Sequence, residues 1–434
     1  MKVYGKTFSM ILATLIISSL CLAPLAFAGE SSGKIFADTR YRTSFDGRDF
    51  NGDTGMDNTQ WLRTRIGMKF QQDDVKAFLQ FQYPLTFANA APPASGNVGG
   101  GVHQLYIKYN GFYLDDLAVK AGRFEMNYGD ERLIGSVGWS NVGRTFDGLK
   151  FHYDNEMLWA DYFLTTLTEN SVGSPNTNAK DDLFHGVWAE LKGLKLNLFY
   201  LMQRNTTQIA GGSNWHTGLS RSTLGLHYMN QYGSGLGTLL DFAMQMGTAT
   251  TFGAPNVETD LSAMLVVAAV WYKFEDMAMS PTIGAGIDMA SGDDPTTPEN
   301  EAFSNLYYTG HKWRGAMDYF INDNPIGGGT NPGLTDIMVK AYVSPWETGK
   351  VGLGFHMFST GEDFASNAPG GGTATALGNE IDLFYMNDYS ETLTGEAGVS
   401  MFMPSEDWQG ASPDNSMWIY IQLSSKFDAF AWGE

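Results

Sequence analysis

The sequence is short of cysteine, of basic charge and of long apolar runs, and each shortage removes a class of protein. The one cysteine in 434 residues, Cys21, falls inside an apolar N-terminal segment. From residue 29 onward there is no thiol, so disulfides, zinc held by cysteine and cysteine nucleophiles are excluded. Lys and Arg number 27 against 47 Asp and Glu, a formal net charge of −20 that opposes nucleic acid as a partner. After residue 28 no run approaches the ~18 uninterrupted apolar residues of a spanning helix. The most apolar window, Leu261–Phe274, is shorter and is rich in β-branched and aromatic residues, which suits a strand.

Enzyme signatures are missing too. His103, His152, His185, His216, His227, His311 and His356 show no metal spacing. Neither a G-x-S-x-G elbow nor a phosphate loop followed by a helix is present, so no catalytic residue, metal or cofactor is expected. The stretch DFNGDTGMDN (Asp49–Asn58) has oxygens at calcium-like intervals. Its Gly55 stands one place later than an EF-hand loop requires, and a solvated loop is the simpler reading.

What is present begins with an export signal. Lys2 and Lys6 precede an apolar run from Ile11 to Leu25, and AFA then supplies small residues at the −3 and −1 positions. Residues 1–28 read as a secretory signal peptide and residues 29–434 as the mature domain, whose net charge without Lys2 and Lys6 moves from −20 to −22.

Through the rest of the chain the organising signal is period two. In KIFADTRYRTSF, Ile35, Ala37, Tyr41 and Phe45 share one face and Asp38, Arg40, Arg42 and Ser44 the other. LRTRIGMKF sets Leu62, Ile66, Met68 and Phe70 against Arg63, Arg65 and Lys69, and about eighteen such segments follow one another to the C-terminus. Short polar turns alternate with long Gly/Asn/Asp-rich connections, near residues 46–58, 84–102, 170–181 and 292–336 among others. Regular alternation of short and long connections marks an outer-membrane β-barrel with short periplasmic turns and long outer loops. Aromatics at segment ends, including Tyr83, Tyr109, Tyr162, Tyr200 and Trp271, fit the interfacial girdles of such a barrel. The competing reading is a soluble all-β protein, a periplasmic or surface carbohydrate-binding or lyase protein.

One stretch breaks the pattern. GRFEMNYGDERLIGSVGWSNVGRTFDG (Gly122–Gly148) carries three arginines and four acids among Gly, Trp and Tyr, which suits neither a strand nor a tight turn. It resembles the hallmark segment of the alginate-export family of outer-membrane porins, in which a Gly-Arg strand end leads into YGD-x-R-L-x-G, then Trp-x-Asn, then R-x-F-D-G. DMASGDDPTTPENEAFSNLYYTGHKWRGAMDYF (Asp288–Phe320) is similar to a further long loop of that family, and GFHMF and LGNEIDL resemble its later strand motifs. The resemblance implies an all-β transmembrane barrel of about eighteen strands whose lumen is narrowed by an inward loop. It also implies a diffusion channel for hydrophilic, anionic solutes or polysaccharide, outer-membrane lipid around it, and the barrel-assembly machinery as a partner.

Strand parity places twelve basic residues inward, crowded into the first strands, and eight acids inward, mostly in the second half. The expected pore-lining and constriction set is Arg40, Arg42, Arg63, Arg65, Lys69, Arg123, Asp130, Arg132, Arg144, Asp147, Asp288, Glu380 and Asp382. Fixed charges of this kind set ion preference in a confined space, although lumen arginines can also pair with loop acids to hold the constriction. Arg123 and Asp147 are awkward, because parity puts them among apolar neighbours. A bulge at Gly122 or a place above the membrane rim would resolve this. At the other end of the chain Phe427, Phe430 and Trp432 each qualify as the terminal aromatic of an assembly signal.

Overall fold

The computed structural model describes residues 31–87, 100–168, 182–208, 215–251 and 257–433. The signal segment and its boundary at Gly29 lie outside these residues, as do residues 88–99 and 169–181 of two long connections. The strands are β1 (Ser31–Gly47), β2 (Asp57–Gln72), β3 (Val75–Thr86), β4 (Gly101–Asn110), β5 (Leu117–Phe124), β6 (Phe146–Asp154), β7 (Leu158–Thr168), β8 (Asp182–Leu191) and β9 (Leu196–Gln208). They continue as β10 (Trp215–Gln231), β11 (Leu236–Thr251), β12 (Val257–Lys273), β13 (Thr282–Ala290), β14 (Leu334–Val343), β15 (Gly349–Ala365), β16 (Thr373–Ser390), β17 (Leu393–Pro404) and β18 (Ser416–Trp432). Each pairs antiparallel with its sequence neighbours, and β1 also pairs with β18, closing an eighteen-stranded barrel. Closure leaves no unpaired edge, the condition under which strands can stand in hydrocarbon. A soluble sandwich is thereby ruled out.

The alternation in sequence becomes two faces in space. Ile66, Phe81, Ile107, Leu198, Ile283, Leu353 and Leu383 are exposed on the outside, an apolar band for lipid. Tyr83, Tyr109, Tyr162 and Tyr200 are exposed with them. Trp271 is a correction to the expected girdle: it lies one residue after the exposed Val270, faces the lumen, and donates its indole N–H to Gln231 Oε1 at 2.6 Å.

Near the C-terminus the register between β1 and β18 shifts between Ile35↔Phe430 and Phe36↔Asp428. The bulge resets the parity, so Phe427 and Phe430 both stand outward although they are three residues apart. Phe430 stacks on Trp432 with ring centres 5.8 Å apart.

The inside is not simply wet. Phe124, Phe163, Phe184, Trp188, Phe199, Leu201 and Leu265 pack with Met126, Leu133, Ile134 and Phe303 in one buried cluster, and Phe320, Phe358, Leu377, Phe402 and Trp418 pack in a second. Both clusters join strand side chains to two long connections that fold into the barrel, the third outer loop (residues 125–145) and the seventh (291–333).

Candidate functional site

The two inward loops hold each other before they touch anything else. Ile134 and Tyr307 form a parallel bridge, with Gly135 N donating to Tyr307 O at 2.8 Å, Tyr307 N to Leu133 O at 2.9 Å and Thr309 N to Glu131 O at 3.0 Å. So close an approach needs Gly135, where a Cβ would lie 2.1 Å from Thr309 Oγ1. Gly315 serves likewise against Glu380, whose carboxyl a Cβ would meet at 2.6 Å. Gly135 is therefore a contact point between the two loops, and Gly315 one between loop and wall.

On the wall, β1 and β2 present four guanidiniums to the third outer loop. Arg40 Nη1 and Nη2 donate to the carbonyls of Gly138 and Ser140 at 2.8 and 2.9 Å, and Arg63 Nη1 donates to the same two at 2.9 and 3.1 Å. Arg42 donates to Trp139 O at 2.8 Å and lies 3.3 Å over the Trp139 ring, whose other contacts include the His311 ring stacked at 3.9 Å. Arg65 donates to Gln82 at 2.9 Å and to Glu125 at 3.2 Å, while His103 sits 2.7 Å from the same carboxylate. Burial alone would raise the Glu125 carboxyl, but the bond with His103 and the charge of Arg65 hold it below its ordinary value.

Across the lumen, Arg132 ties the loop to the opposite wall. Its Nε lies 3.0 Å from Asp130 and 3.5 Å from Asp241 of β11, and its Nη1 donates to Asp288 of β13. Arg314 of the seventh outer loop approaches Asp288 at 3.8 Å, and His227 of β10 bonds Asp241 at 2.5 Å. All of these side chains are buried. Burial pushes the Asp130 carboxyl up to about 6 despite the adjacent guanidinium. Asp130, His227 and Asp241 bring donor atoms within 4.8 Å of one another, as a metal site does, but the Arg132 guanidinium already supplies the positive charge there.

Arg144 turns away from Asp147 and donates to the carbonyls of Gly135 at 3.2 Å, Tyr308 at 3.1 Å and Tyr307, fastening the bridge between the loops. Glu380 accepts from Met317 N at 2.9 Å, anchoring the seventh outer loop to β16, and Asp382 lies two residues along the same face. Arg123 and Asp147 need a correction. They form a two-bond pair at 2.7 Å, each about half exposed, on the outward face with Leu105 and Leu149. The ladders β4–β5 and β5–β6 run through Gly122 without a register shift, so the bulge is absent and the pair does not line the lumen. They sit at the last rungs below the third outer loop, where charge meets the rim.

Toward the short-turn end the lumen changes character. Lys76, Lys108, Lys120 and Lys150 stand in direct cross-strand register on β3, β4, β5 and β6. Lys150 bonds Asp161 at 2.6 Å, but among the described residues Lys69, Lys76, Lys108 and Lys120 form no ion pair. Lys69 lies 5.4 Å over the Phe36 ring and Lys120 4.4 Å over Tyr106. These lysines line a cleft of about 490 Å³. Sequence parity puts Lys76, Lys108, Lys120 and Lys150 inward but cannot show that they share one row, because the row depends on register across one turn and two long loops. His227 and Asp241 were missed as parts of the Arg132 cluster for the same reason, and Arg314 because it lies on a loop to which strand parity does not apply.

This chain and several solved porins share the fold at low sequence identity. It superposes on OccK2 (OpdF) of Pseudomonas aeruginosa, solved in complex with glucuronate, with a TM-score of 0.57 at 13% identity over 92% of this chain and 98% of that one. OccAB1 of Acinetobacter baumannii gives 0.55 at 11% identity over 93% and 99%, and OprD of P. aeruginosa gives 0.54 at 12% over 93% and 95%. No functionally curated protein matches the chain. The alginate export family, however, matches residues 34–409, a span that contains both inward loops and the arginine and lysine walls. A closed eighteen-stranded barrel with an apolar belt, two loops folded into its lumen and that family match together define an outer-membrane channel for solute diffusion: the chain belongs to the alginate export family.

Proposed function

We propose that the channel prefers anions and passes hydrophilic carboxylates, uronates or short acidic saccharides among them. The supporting observation is the lysine row. Like charges placed directly opposite one another across strands repel, so a row of four costs stability unless something offsets it. Among the described residues an acid meets only Lys150, and a permeating anion offsets the rest in turn. Counter-charge in a narrow aqueous space is screened less than on an open surface, so the row acts on every ion that passes. The other expected wall residues contribute in a different way: Arg40, Arg42, Arg63, Arg65 and Arg144 shape the constriction by holding its loop, Arg132 beside Asp130 carries that loop to Asp288 on the far wall, Glu380 holds the seventh outer loop, and Asp382 lies next to it on the lumen face.

The same reading includes export through a signal peptide ending at Ala28, a mature start at Gly29, and insertion by the barrel-assembly machinery guided by the outward Phe427 and Phe430. The test of selectivity is the reversal potential of the purified barrel in planar bilayers under a salt gradient. Anion preference should fall in Lys108→Gln/Lys120→Gln. A wild-type potential of cationic sign, or one that the double substitution leaves unmoved, overturns the proposal.

A further inference from the structure

Below the seventh outer loop, against the inner face of β14–β18, lies a recess of about 220 Å³ on the wall opposite the lysine row. Its lining combines Lys312, Trp313, Lys340 and Asp382 with the rings of Tyr342 and Tyr420. Several polar groups in it have nothing to bond. Trp313 Nε1 is buried without an acceptor, and Asp382 Oδ1 is buried without a donor. Asp382 itself is only 8% exposed, and the nearest basic group to it, His356 Nε2, stands 3.8 Å away while that ring's Nδ1 is engaged by Asp336 at 2.7 Å. Among the described residues Lys340 has no ion pair, although it borders both this recess and a second cleft that includes Trp271.

Buried polar atoms without partners are rare in folded proteins and call for a specific reason. Adjacent carboxyls could supply a partial one here, since Glu380 Oε2 also lacks a partner and one shared proton would serve both it and Asp382. That proton leaves Trp313 Nε1 and Lys340 Nζ open, and Asp382 keeps a second oxygen able to accept. The walls are flat because rings lie over glycines: a Cβ on Gly398 would fall 2.2 Å from the Tyr420 ring, and one on Gly352 would fall 2.0 Å from Phe384. A cavity with a cation, an N–H donor, a carboxylate acceptor and flat aromatic walls selects a ligand having a negative group, several hydroxyls and a ring face.

We propose that this recess is a binding subsite for a polyhydroxylated ring carboxylate, with Lys340 taking the carboxylate, Trp313 Nε1 donating to a ring or hydroxyl oxygen, and Asp382 accepting from a hydroxyl. The inference rests on the anion-channel reading and adds to it a choice among anions of equal charge. A plain carboxylate satisfies Lys340 and leaves the other groups unpaired, which is the condition under which polar sites discriminate most strongly.

The experiment uses the intact barrel in planar bilayers and compares block of the ion current by glucuronate and by hexanoate, both monovalent. Wild type should bind glucuronate the more tightly. Trp313→Phe keeps the ring that faces Arg132 at 4.2 Å and removes only the N–H. It should reduce the glucuronate-to-hexanoate preference about fivefold to tenfold, the effect of one buried hydrogen bond. Asp382→Asn should reduce it further, and heat-modifiable migration checks that each variant is folded. If Asp382→Asn fails to fold, Trp313→Phe decides alone. Equal block by the two anions in wild type, or a preference unchanged in Trp313→Phe, overturns the subsite. Glutamate is the third arm: block by glutamate stronger than by glucuronate would show a zwitterion site and overturn the assignment. Lys108→Gln/Lys120→Gln separates the levels, because it shifts reversal potential whether or not the recess binds sugar acids.

Discussion

Two sets of basic residues line the same side of the barrel and do different work. The arginines of β1 and β2 point at backbone carbonyls 138–140, at Glu125 and at the Trp139 ring, so every guanidinium has a neighbour that suits it. The lysines of β3–β5, nearer the short turns, face one another across the strands, and Lys120 rests over the Tyr106 ring. Chemistry explains the division. A guanidinium is a planar fork able to bind two carbonyls at once, whereas an ammonium is a compact point charge on a flexible stem that can follow a passing ion. On the proposed reading the arginines set the shape of the constriction and the lysines its field.

The largest way to break the comparison is to remove the arginine that belongs to neither wall. Arg132 contacts Asp130, Asp241 and Asp288 together in a buried site. Arg132→Met should cost about 3–5 kcal/mol of loop anchorage, because it strands carboxylates out of water. The expected signs are proteolytic cleavage within residues 125–145 and a noisier, larger conductance. Were Arg132 a selectivity residue rather than an anchor, the reversal potential would move while the loop stayed protected.

Protonation probes the same anchor more gently. A carboxyl whose folded value stands at about 6, above the ordinary ~3.9, has lost stability at neutral pH and regains it as pH falls. Anchorage of the third outer loop should therefore tighten as pH drops from about 6 to about 4, by no more than about 3 kcal/mol. Arg132, Asp241 and His227 face Asp130, so the measurement is the difference between wild type and Asp130→Asn, with amide exchange of residues 130–135 as the readout. A difference that does not change between pH 4.5 and 7 would contradict the assignment of this titration to Asp130.

Smaller effects separate arginine from lysine directly. Arg63→Gln removes charged hydrogen bonds to two carbonyls and should loosen residues 138–140 by about 1.5–3 kcal/mol. Its effect on reversal potential should be minor beside that of Lys108→Gln. Lys108→Gln should do the reverse, leaving the loop intact and relieving cross-strand repulsion worth about 0.2–1 kcal/mol. Melting of the detergent-solubilised barrel and bilayer recording, made on both variants, would show four outcomes of which only this crossed pattern supports the division of labour.

Much of this architecture could be read from the chain, for reasons that differ by residue. Period two is local, so the faces of Arg40, Arg63, Leu198 and Ile283 follow from their immediate neighbours. Loop motifs named the segment that folds inward. What period two does not carry is register, and so the lysine row and the meeting of Asp130 with Asp241 and Asp288 were invisible. Nor does it reveal how far the lumen is filled. Asn197, inward by parity, lies beneath Trp188 and accepts its indole N–H at 2.9 Å, because the third outer loop, through Tyr128 stacked on Trp188 at 5.2 Å, completes a core on that side. A polar residue facing inward is in water only where no loop covers it, and that is a long-range property.

The smallest predicted effect concerns a charged pair on the outer wall of the barrel. Arg123 and Asp147 bond each other twice at 2.7 Å on the outer face of neighbouring strands, each about half exposed. Their neighbours along the strands are apolar, yet the pair sits at the rung where the barrel gives way to the third outer loop. There water and headgroups reach both partners, and an exposed ion pair contributes about 0–1 kcal/mol. Arg123→Gln and Asp147→Asn, alone and together, should therefore give a small coupling energy in a double-mutant cycle of thermal unfolding. Reversal potential should be that of wild type in all three, because the wall lies between these charges and the permeating ion. A selectivity change in the double variant would return the pair to the pore. A coupling well above 1 kcal/mol would place it below the rim, in hydrocarbon, where neither charge could be left alone.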